Sequence, residues 1–394
     1  MSYFHLNFIL KGKLTVCCLL MLSAMPLNAQ REAKQIGDFK ESISLNEHLR
    51  GTKRTLQYRP DGDEFVCVNG KNRYTRALYG SHSPFRVETS DRPVFAFYNN
   101  GRGGNISFKV ILRDGTELAL DCTGHCESRY SAGKRTYYLT DPSWGKGELR
   151  ISVLALADMD GAIWRFSPSN MPKGAILRWQ HGGATGKRLS RNGDMGVDPA
   201  DCFELPVEAT DLVTGELPLQ KEVYLVRGEV PEDYNVRKLY QQAEAASLAL
   251  ASHLKIETPD PYLNTLGGAL VAAADGIWDG QVWLHGAIGW RMPLSGWRAG
   301  YTGDALGWHD RARTHFDAYA ASQVTDVPNT IPHPAQDSTM NLARSEKRWG
   351  TPQYSNGYIC RNPERNNQMH HYDMNLCYMD ELLWHFNWTG DTAY

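Results

Sequence analysis

The sequence changes its periodicity once, near Pro231, and this change constrains the possible folds more than any other feature. Before it, short runs of β-branched and aromatic residues alternate with turn signals such as Asn69-Gly70 and Asp114-Gly115, which tolerate positive φ angles. After it, apolar residues recur at helical spacing. Many strands with short connections and no intervening helix predict an antiparallel β-sandwich, followed by a helical domain.

The predicted strands of the first part are short and closely spaced. The clearest of them are Glu64–Val68, Pro93–Tyr98, Ile106–Leu112, Arg135–Leu139, Glu148–Leu154, Ala162–Phe166, Ala175–Trp179 and Glu222–Val226. Two glycine-rich clusters, Gly101–Gly104 and His181–Gly186, lie in the same part of the chain. Neither has the strand, glycine loop and helix of a phosphate-binding loop, so a hairpin and a surface turn are predicted there.

The second part is predicted to be helical. A helix is predicted from Pro231 to Leu254, because the acidic Pro231–Asp233 segment suits a helix N-terminus, and Pro259 and Pro261 are predicted to end it. Three further helices are predicted over Leu263–Trp278, Thr302–Gln323 and Asp373–Thr389. The intervening Thr325–Asn367 is rich in Pro, Asn, Ser and Gly, and a loop of this length is typical of a binding role.

The length of 394 residues suits two domains better than one. The predicted organisation is a signal peptide, a β-sandwich domain, a linker helix and a helical domain, over residues 1–29, 30–228, 229–260 and 261–394 respectively. Lys11 and Lys13 precede the apolar run Leu14–Met25, and Ala29 offers a small residue at the cleavage site. The run is too short to span a bilayer, so export to the periplasm or the extracellular space is expected.

The near-balance of charges argues against nucleic acid and anionic membranes as partners. Lys and Arg number 42 against 44 Asp and Glu, which leaves no electrostatic footprint for nucleic acid and none for an anionic membrane. Neither membrane insertion of the mature chain nor a cofactor is expected, and the oligomeric state stays open.

Cys122 and Cys126 flank His125, but no second ligand pair follows, so a disulfide or free buried thiols are favoured over a metal.

The segment Trp278–Phe316 holds five of the eleven tryptophans, interleaved with histidines, arginines and aspartates. The C–H face of a sugar stacks on indole while charged groups bond its hydroxyls, so this pattern favours an oligo- or polysaccharide site. The alternative is a helical core in which tryptophan fills volume. The candidate glycan-binding residues are Trp283, His285, Trp290, Trp297, Arg298, Tyr301 and Trp308, with His370 and His371 from a second polar cluster.

The order of these segments resembles that of bacterial exported glycoside hydrolases of the six-hairpin superfamily. The resemblance is carried by Pro293–Trp308, by His309–Phe316 and by Asp380–Asp391. It implies a multidomain α and β protein with an N-terminal antiparallel β-sandwich, a linker helix and a C-terminal (α/α)6-toroid-type domain. A toroid needs twelve helices, and only three clear helices can be read after Tyr262. The helical domain is therefore expected to be incomplete, the chain a fragment of a longer protein, and some apolar helix faces uncovered.

Glycoside hydrolysis needs two carboxyl groups that flank the bond, and toroidal glycosidases mostly invert. The candidate catalytic residues are Asp304 and Asp373, and no metal ligand is predicted. Each aspartate has a structural alternative as a helix cap. A polysaccharide lyase is a competing class, with candidate base and neutralising residues Tyr301, His370, His371, Tyr372 and Arg298. A non-catalytic glycan-binding protein is another.

Overall fold

Two antiparallel sheets make up the N-terminal part of the computed structural model. The structure describes residues 57–71, 76–99, 102–182, 212–230, 232–286, 291–296, 299–323, 325, 336–337, 342–343, 357, 359–363 and 372–394. These residues belong to one compact unit, Gln57–Tyr394. The predicted signal peptide over residues 1–29 lies outside the described residues.

Fourteen strands of the described part form the two sheets. In chain order they are β1 (Arg59–Asp61), β2 (Glu64–Val68), β3 (Arg76–Leu78), β4 (Arg86–Thr89), β5 (Phe95–Asn99), β6 (Arg102–Ile111), β7 (Glu117–Ala119), β8 (His125–Ser131), β9 (Lys134–Thr140), β10 (Glu148–Ala155), β11 (Gly161–Ser169), β12 (Ile176–Gly182), β13 (Val213–Pro218) and β14 (Val223–Gly228). The first sheet has the order β1-β2-β8-β9-β10-β11-β14. The second has the order β13-β12-β6-β5-β4-β3, with β7 paired to β6. Single turns of 3-10 helix cover Leu120–Cys122 and Pro142–Trp144.

The two sheets share one hydrophobic core. Trp164 on β11 is fully buried, and its ring meets Phe95, Phe97 and Phe108 from the other sheet at centroid distances of 5.5, 5.7 and 6.1 Å. Edge-on and tilted aromatic contacts of this kind add to the apolar area that burial removes from water. The sheets therefore pack face to face, and the predicted antiparallel β-sandwich is confirmed.

Helix α1 (Val236–Ala251) begins later than predicted, because the side chain of Asn235 caps it and accepts a hydrogen bond from the Lys238 N–H at 3.0 Å. It lies on the first sheet, where Leu239 and Tyr240 pack against Ile163. Helix α2 (Pro261–Gly276) follows. Pro261, predicted to end a helix, instead opens this one, since the N1 position needs no N–H donor.

The predicted helix Thr302–Gln323 is two helices, α3 (Ala299–Ala305) and α4 (His309–Ala320). Gly307 between them has a φ of 74°, a left-handed conformation that ends α3. Helix α5 (Tyr372–Thr389) comes last. Two short strands, β15 (Gln336–Asp337) and β16 (Leu342–Ala343), pair within the predicted long loop, most of which lies outside the described residues.

The segment that carries α3 runs in the same direction as α5. Gly296 approaches Cys377 and Tyr378, Gly300 approaches Glu381, and Asp304 bonds His385. Each step of four residues along one segment is thus matched by a step of four along the other.

Helix α4 runs in the opposite direction to α5. The Tyr378 hydroxyl donates to the Phe316 carbonyl at 2.8 Å, and the rings of Tyr378 and Tyr319 lie 6.5 Å apart. One end of α5 therefore meets Tyr319, while His385 farther along meets the ring of Phe316 at 5.7 Å. The directions of α3, α4 and α5 consequently alternate.

The outward surface of α5 carries many large apolar side chains. Leu376 is 64% exposed, and the large side chains Met379, Leu383, Trp384, Phe386 and Trp388 are exposed with it. Tyr378, Glu381 and His385 take the inward positions, and Leu382 packs against the helical core. The expectation of uncovered apolar helix surface is confirmed for this helix. No helix among the described residues is long and apolar enough to cross a membrane.

Buried hydrogen bonds and ion pairs join the sandwich to the helices. Arg86 on β4 is fully buried and donates to the Gly276 carbonyl at the end of α2. Asp275 accepts hydrogen bonds from His82 Nε2 at 3.2 Å and from Arg311 Nη1 at 2.7 Å. Burial would raise the pKa of Asp275, but these two donors lower it below its usual value.

The cysteines of the described residues are free thiols. Cys126 is buried and Cys122 is exposed, and neither forms a disulfide. Burial raises the pKa of Cys126 to about 12, so this thiol stays protonated and unreactive at neutral pH. Of the two options predicted for this pair, free thiols are the one observed, although Cys122 is not buried.

Candidate functional site

The tryptophan-rich segment is partly core. Trp278 and Trp283 lie 4.7 Å apart, and Trp283 is 0% exposed beside Phe316 and Tyr319. The backbone N–H of Trp283 donates to His315 Nδ1 at 3.1 Å, so both this hydrogen bond and the packing of its ring hold Trp283 in place. The prediction that Trp283 stacks on a sugar is wrong for this structure, because no face of its ring reaches solvent.

Two other predicted residues of this segment reach the surface. Trp308 is half-buried, and the Arg311 guanidinium lies 4.4 Å from its ring centroid, which occupies one indole face. His285 is exposed, and its backbone N–H donates to the Met292 carbonyl. The remaining predicted glycan-binding residues other than Tyr301 lie outside the described residues. These are Trp290, Trp297, Arg298, His370 and His371.

Asp304 sits at the centre of a buried cluster. Its Oδ1 accepts from His309 Nδ1 at 2.8 Å, and its two oxygens lie 2.8 and 3.0 Å from His385 Nδ1. The side chain of Asp304 is 3% exposed and that of His309 is 39% exposed. Asp304 lies within α3, and the cap of α4 is Trp308 with no side-chain cap bond, so the helix-cap alternative for Asp304 is wrong.

This cluster changes the role predicted for Asp304. A general acid has to reach the leaving oxygen, whereas this carboxylate is enclosed by two imidazoles. Asp304 therefore orients His309 and His385, and His309 is the member that solvent reaches. The three ligand atoms also lie within 4.8 Å of one another, a spacing at which they could hold a metal ion. The sequence predicted no metal ligand here.

Asp373 is exposed in the first turn of α5, where a carboxylate interacts favourably with the helix dipole. Twelve residues separate it from His385, which corresponds to roughly 18 Å along the helix axis. Because His385 contacts Asp304, the two predicted catalytic aspartates lie at different ends of α5. They do not flank one glycosidic bond.

A second group of polar and aromatic side chains lies on the surface of α5. The Tyr301 hydroxyl donates to Asp380, and the Tyr301 ring meets the edge of Trp384 at 6.2 Å. Trp384 is 48% exposed and Trp388, one turn later, is 54% exposed. We refer to Tyr301, Asp380, Trp384 and Trp388 as the aromatic face. It joins exposed indole rings to a carboxylate and a hydroxyl, the groups that the sequence had placed in the tryptophan-rich segment.

Sequence reasoning identified Tyr301 but missed Asp380, Trp384 and His385 as site residues. Trp384 and Trp388 are four residues apart, and so are Glu381 and His385, which places each pair on one side of a helix. That spacing was available from the sequence. Which side faces inward was not, because α5 exposes large apolar side chains on its outer surface and buries polar ones at two inward positions.

No curated protein matches the sequence. A family described as "Domain of unknown function (DUF4450)" matches residues 100–229, which run from β6 to the end of β14 in the sandwich.

Proposed function

We propose that the protein is an exported carbohydrate-active enzyme, a glycoside hydrolase that cleaves plant or host glycans with two carboxylates and inversion. The aromatic face is the main support. Two exposed indoles one helical turn apart offer stacking surfaces for the C–H faces of adjacent sugar rings. Asp380 and the Tyr301 hydroxyl beside them are suited to bond sugar hydroxyls.

The helix directions support an (α/α)6-toroid-type fold for the helical part. A ring of helical hairpins alternates the direction of successive helices, and α3, α4 and α5 alternate in this way. The order of sandwich, linker helix and helices agrees with the same fold.

Two aspartates on the outer side of α5 are the carboxylates that suit hydrolysis. Asp373 and Asp380 are seven residues apart, which places them on one helix face with a rise of roughly 10.5 Å. Carboxyl groups of inverting glycosidases are separated by about 6.5–9.5 Å, a separation these side chains can reach by leaning toward each other. Asp380, which accepts from Tyr301, is the candidate base, and Asp373 is the candidate acid.

The lyase alternative is less well supported. A tyrosine base needs a pKa near neutrality, but the hydrogen bond to Asp380 and partial burial raise the pKa of Tyr301. This phenol therefore stays protonated and serves as a donor. A glycan-binding protein without turnover is the second candidate function, because the aromatic face supports binding whether or not the two aspartates act on the bond.

Replacing Trp384 by Ala is expected to weaken binding of a soluble oligosaccharide about tenfold, since one lost stacking contact costs about 1.5 kcal/mol. Binding is measured by calorimetry against a panel of plant and host oligosaccharides. Phe386→Ala is the matched control, because Phe386 is an exposed aromatic residue of α5 outside the aromatic face. Equal affinities of the two variants would contradict the proposed binding surface.

Turnover is tested separately with Asp380→Asn. Hydrolysis is followed by the release of reducing ends, and lyase activity by the absorbance of unsaturated uronates. Loss of reducing-end release with retained binding supports hydrolysis through Asp380. Binding without turnover by the unmodified chain would instead favour the glycan-binding function, and uronate absorbance would favour the lyase.

A further inference from the structure

We propose that Asp304, His309 and His385 form a binding site for one divalent transition-metal ion of the zinc type. This inference does not rest on the proposed glycan function. It starts from the donor set, which is one carboxylate oxygen and two imidazole nitrogens held by three different helices. Two histidines and one carboxylate are ligands that divalent ions of the first transition row accept readily.

The distances between the ligand atoms are close to those that such an ion needs. Each imidazole Nδ1 lies 2.8 Å from Asp304 Oδ1. Bonds of about 2.0–2.1 Å that meet at a tetrahedral angle separate their ligand atoms by about 3.3 Å. An ion would therefore require each imidazole to move outward by a few tenths of an ångström. Both rings already turn the same nitrogen toward the same oxygen.

The charge of the cluster also calls for a cation. Asp304 is buried, and among the described residues its ionic partners are the two histidines, with no lysine or arginine. A buried carboxylate is costly unless a positive charge compensates it. Either an imidazolium or a metal ion can supply that charge, and a metal ion would neutralise it while leaving both imidazoles neutral.

The His385 ring turns its Nδ1 toward Asp304. Its ring is 1% exposed, and within the described part of the chain its Nε2 has no hydrogen-bond partner. Among the described residues, the polar contact that orients this ring is thus the one its Nδ1 makes toward Asp304.

The turn between α3 and α4 places two of the ligands next to each other. Asp304 lies in the last turn of α3 and His309 is the first residue of α4, so the reversal at Gly307 brings them together. Only His309 is substantially exposed, at 39% of its side chain. A fourth ligand, such as water, could enter from that side, which is the arrangement of a zinc site with an open position.

The experiment uses the full chain without a polyhistidine tag, stripped of metal by a chelator. Titration with Co²⁺ is expected to produce visible ligand-field bands that saturate at one ion per chain, and Zn²⁺ is expected to displace the Co²⁺. Saturating Zn²⁺ should raise the melting temperature by about 3 °C or more, because a ligand that binds only the folded state stabilises it. Absence of saturable bands in the unmodified chain would overturn the proposal.

Variants locate the ion. His309→Gln removes a half-exposed ligand and should weaken Zn²⁺ binding at least tenfold, whereas His253→Gln, at an exposed histidine just after α1, should leave it unchanged. Equal affinity of both variants would overturn the assignment. Circular dichroism checks folding, and Asp304→Asn serves as a second variant of similar shape. All titrations are free of glycan, so failure of the metal site and failure of the glycan function give separate results.

Discussion

Gly296→Ala is expected to destabilise the protein by about 3 kcal/mol, the upper end of the cost of overpacking a core. A Cβ at this position would lie 2.6 Å from the Tyr378 backbone nitrogen and 2.8 Å from the Met374 carbonyl oxygen. Both contacts are with backbone atoms of α5, which cannot rotate away as a side chain would. The helices would have to separate, and the Asp304–His385 contact two turns farther along would be strained with them.

Urea unfolding followed by tryptophan fluorescence measures this effect. Gly124→Ala is the matched control, because a Cβ there would meet only side-chain atoms, with Pro142 Cδ at 3.3 Å and Asp141 Oδ2 at 3.5 Å. The control is expected to change the free energy of unfolding by less than about 1 kcal/mol. If both variants unfold at the same urea concentration, Gly296 and α5 do not pack as closely as described.

Stability is expected to fall between pH 7 and pH 5 because of His315. Burial lowers the pKa of His315 to about 3, so the folded state keeps this imidazole neutral. The unfolded state takes up a proton below about pH 6.5, the ordinary value for histidine. The contribution of neutral His315 to the free energy of unfolding is therefore complete above pH 6.5 and is lost as the pH falls toward 3. Linkage gives a loss of about 2 kcal/mol between pH 7 and pH 5.

The comparison of His315→Gln with His125→Gln isolates this contribution. Free energies of unfolding are measured at pH 7 and pH 5, a range in which Asp275 stays ionised and contributes no change. The His315 variant is expected to lose about 2 kcal/mol of the pH dependence, and the variant at exposed His125 almost none. Titration of the His315 ring near pH 6.5 in the folded protein, observed by NMR, would show that burial does not hold it neutral.

The sandwich could be predicted because its signals are local. Asn69 and Gly115 adopt positive φ angles of 52° and 88°, within the two dipeptides that signalled turns. Strand β2 begins and ends where the alternation of residues placed it, at Glu64 and Val68. A strand needs only its own pattern and a turn at each end to be recognised.

The helices were predicted in number more accurately than in extent. Gly307 splits the predicted helix Thr302–Gln323, and a glycine in the left-handed conformation is a common helix end. Asn235 rather than Pro231 sets the start of α1. These boundaries depend on single capping residues, which compete with equally plausible neighbours in the sequence.

The sequence by itself determined that a β-sandwich precedes helices and that the aromatic, charged segment around Asp304 is important to the helical part. Only the tertiary structure decided what each of those residues does. Trp283 fills the core, Asp304 is enclosed by imidazoles, and Trp384 is exposed beside Tyr301. The reason is distance along the chain: Asp304 and His385 are 81 residues apart, and their contact depends on the close approach of α5 to Gly296 and to Gly300 of α3. No local pattern records that packing.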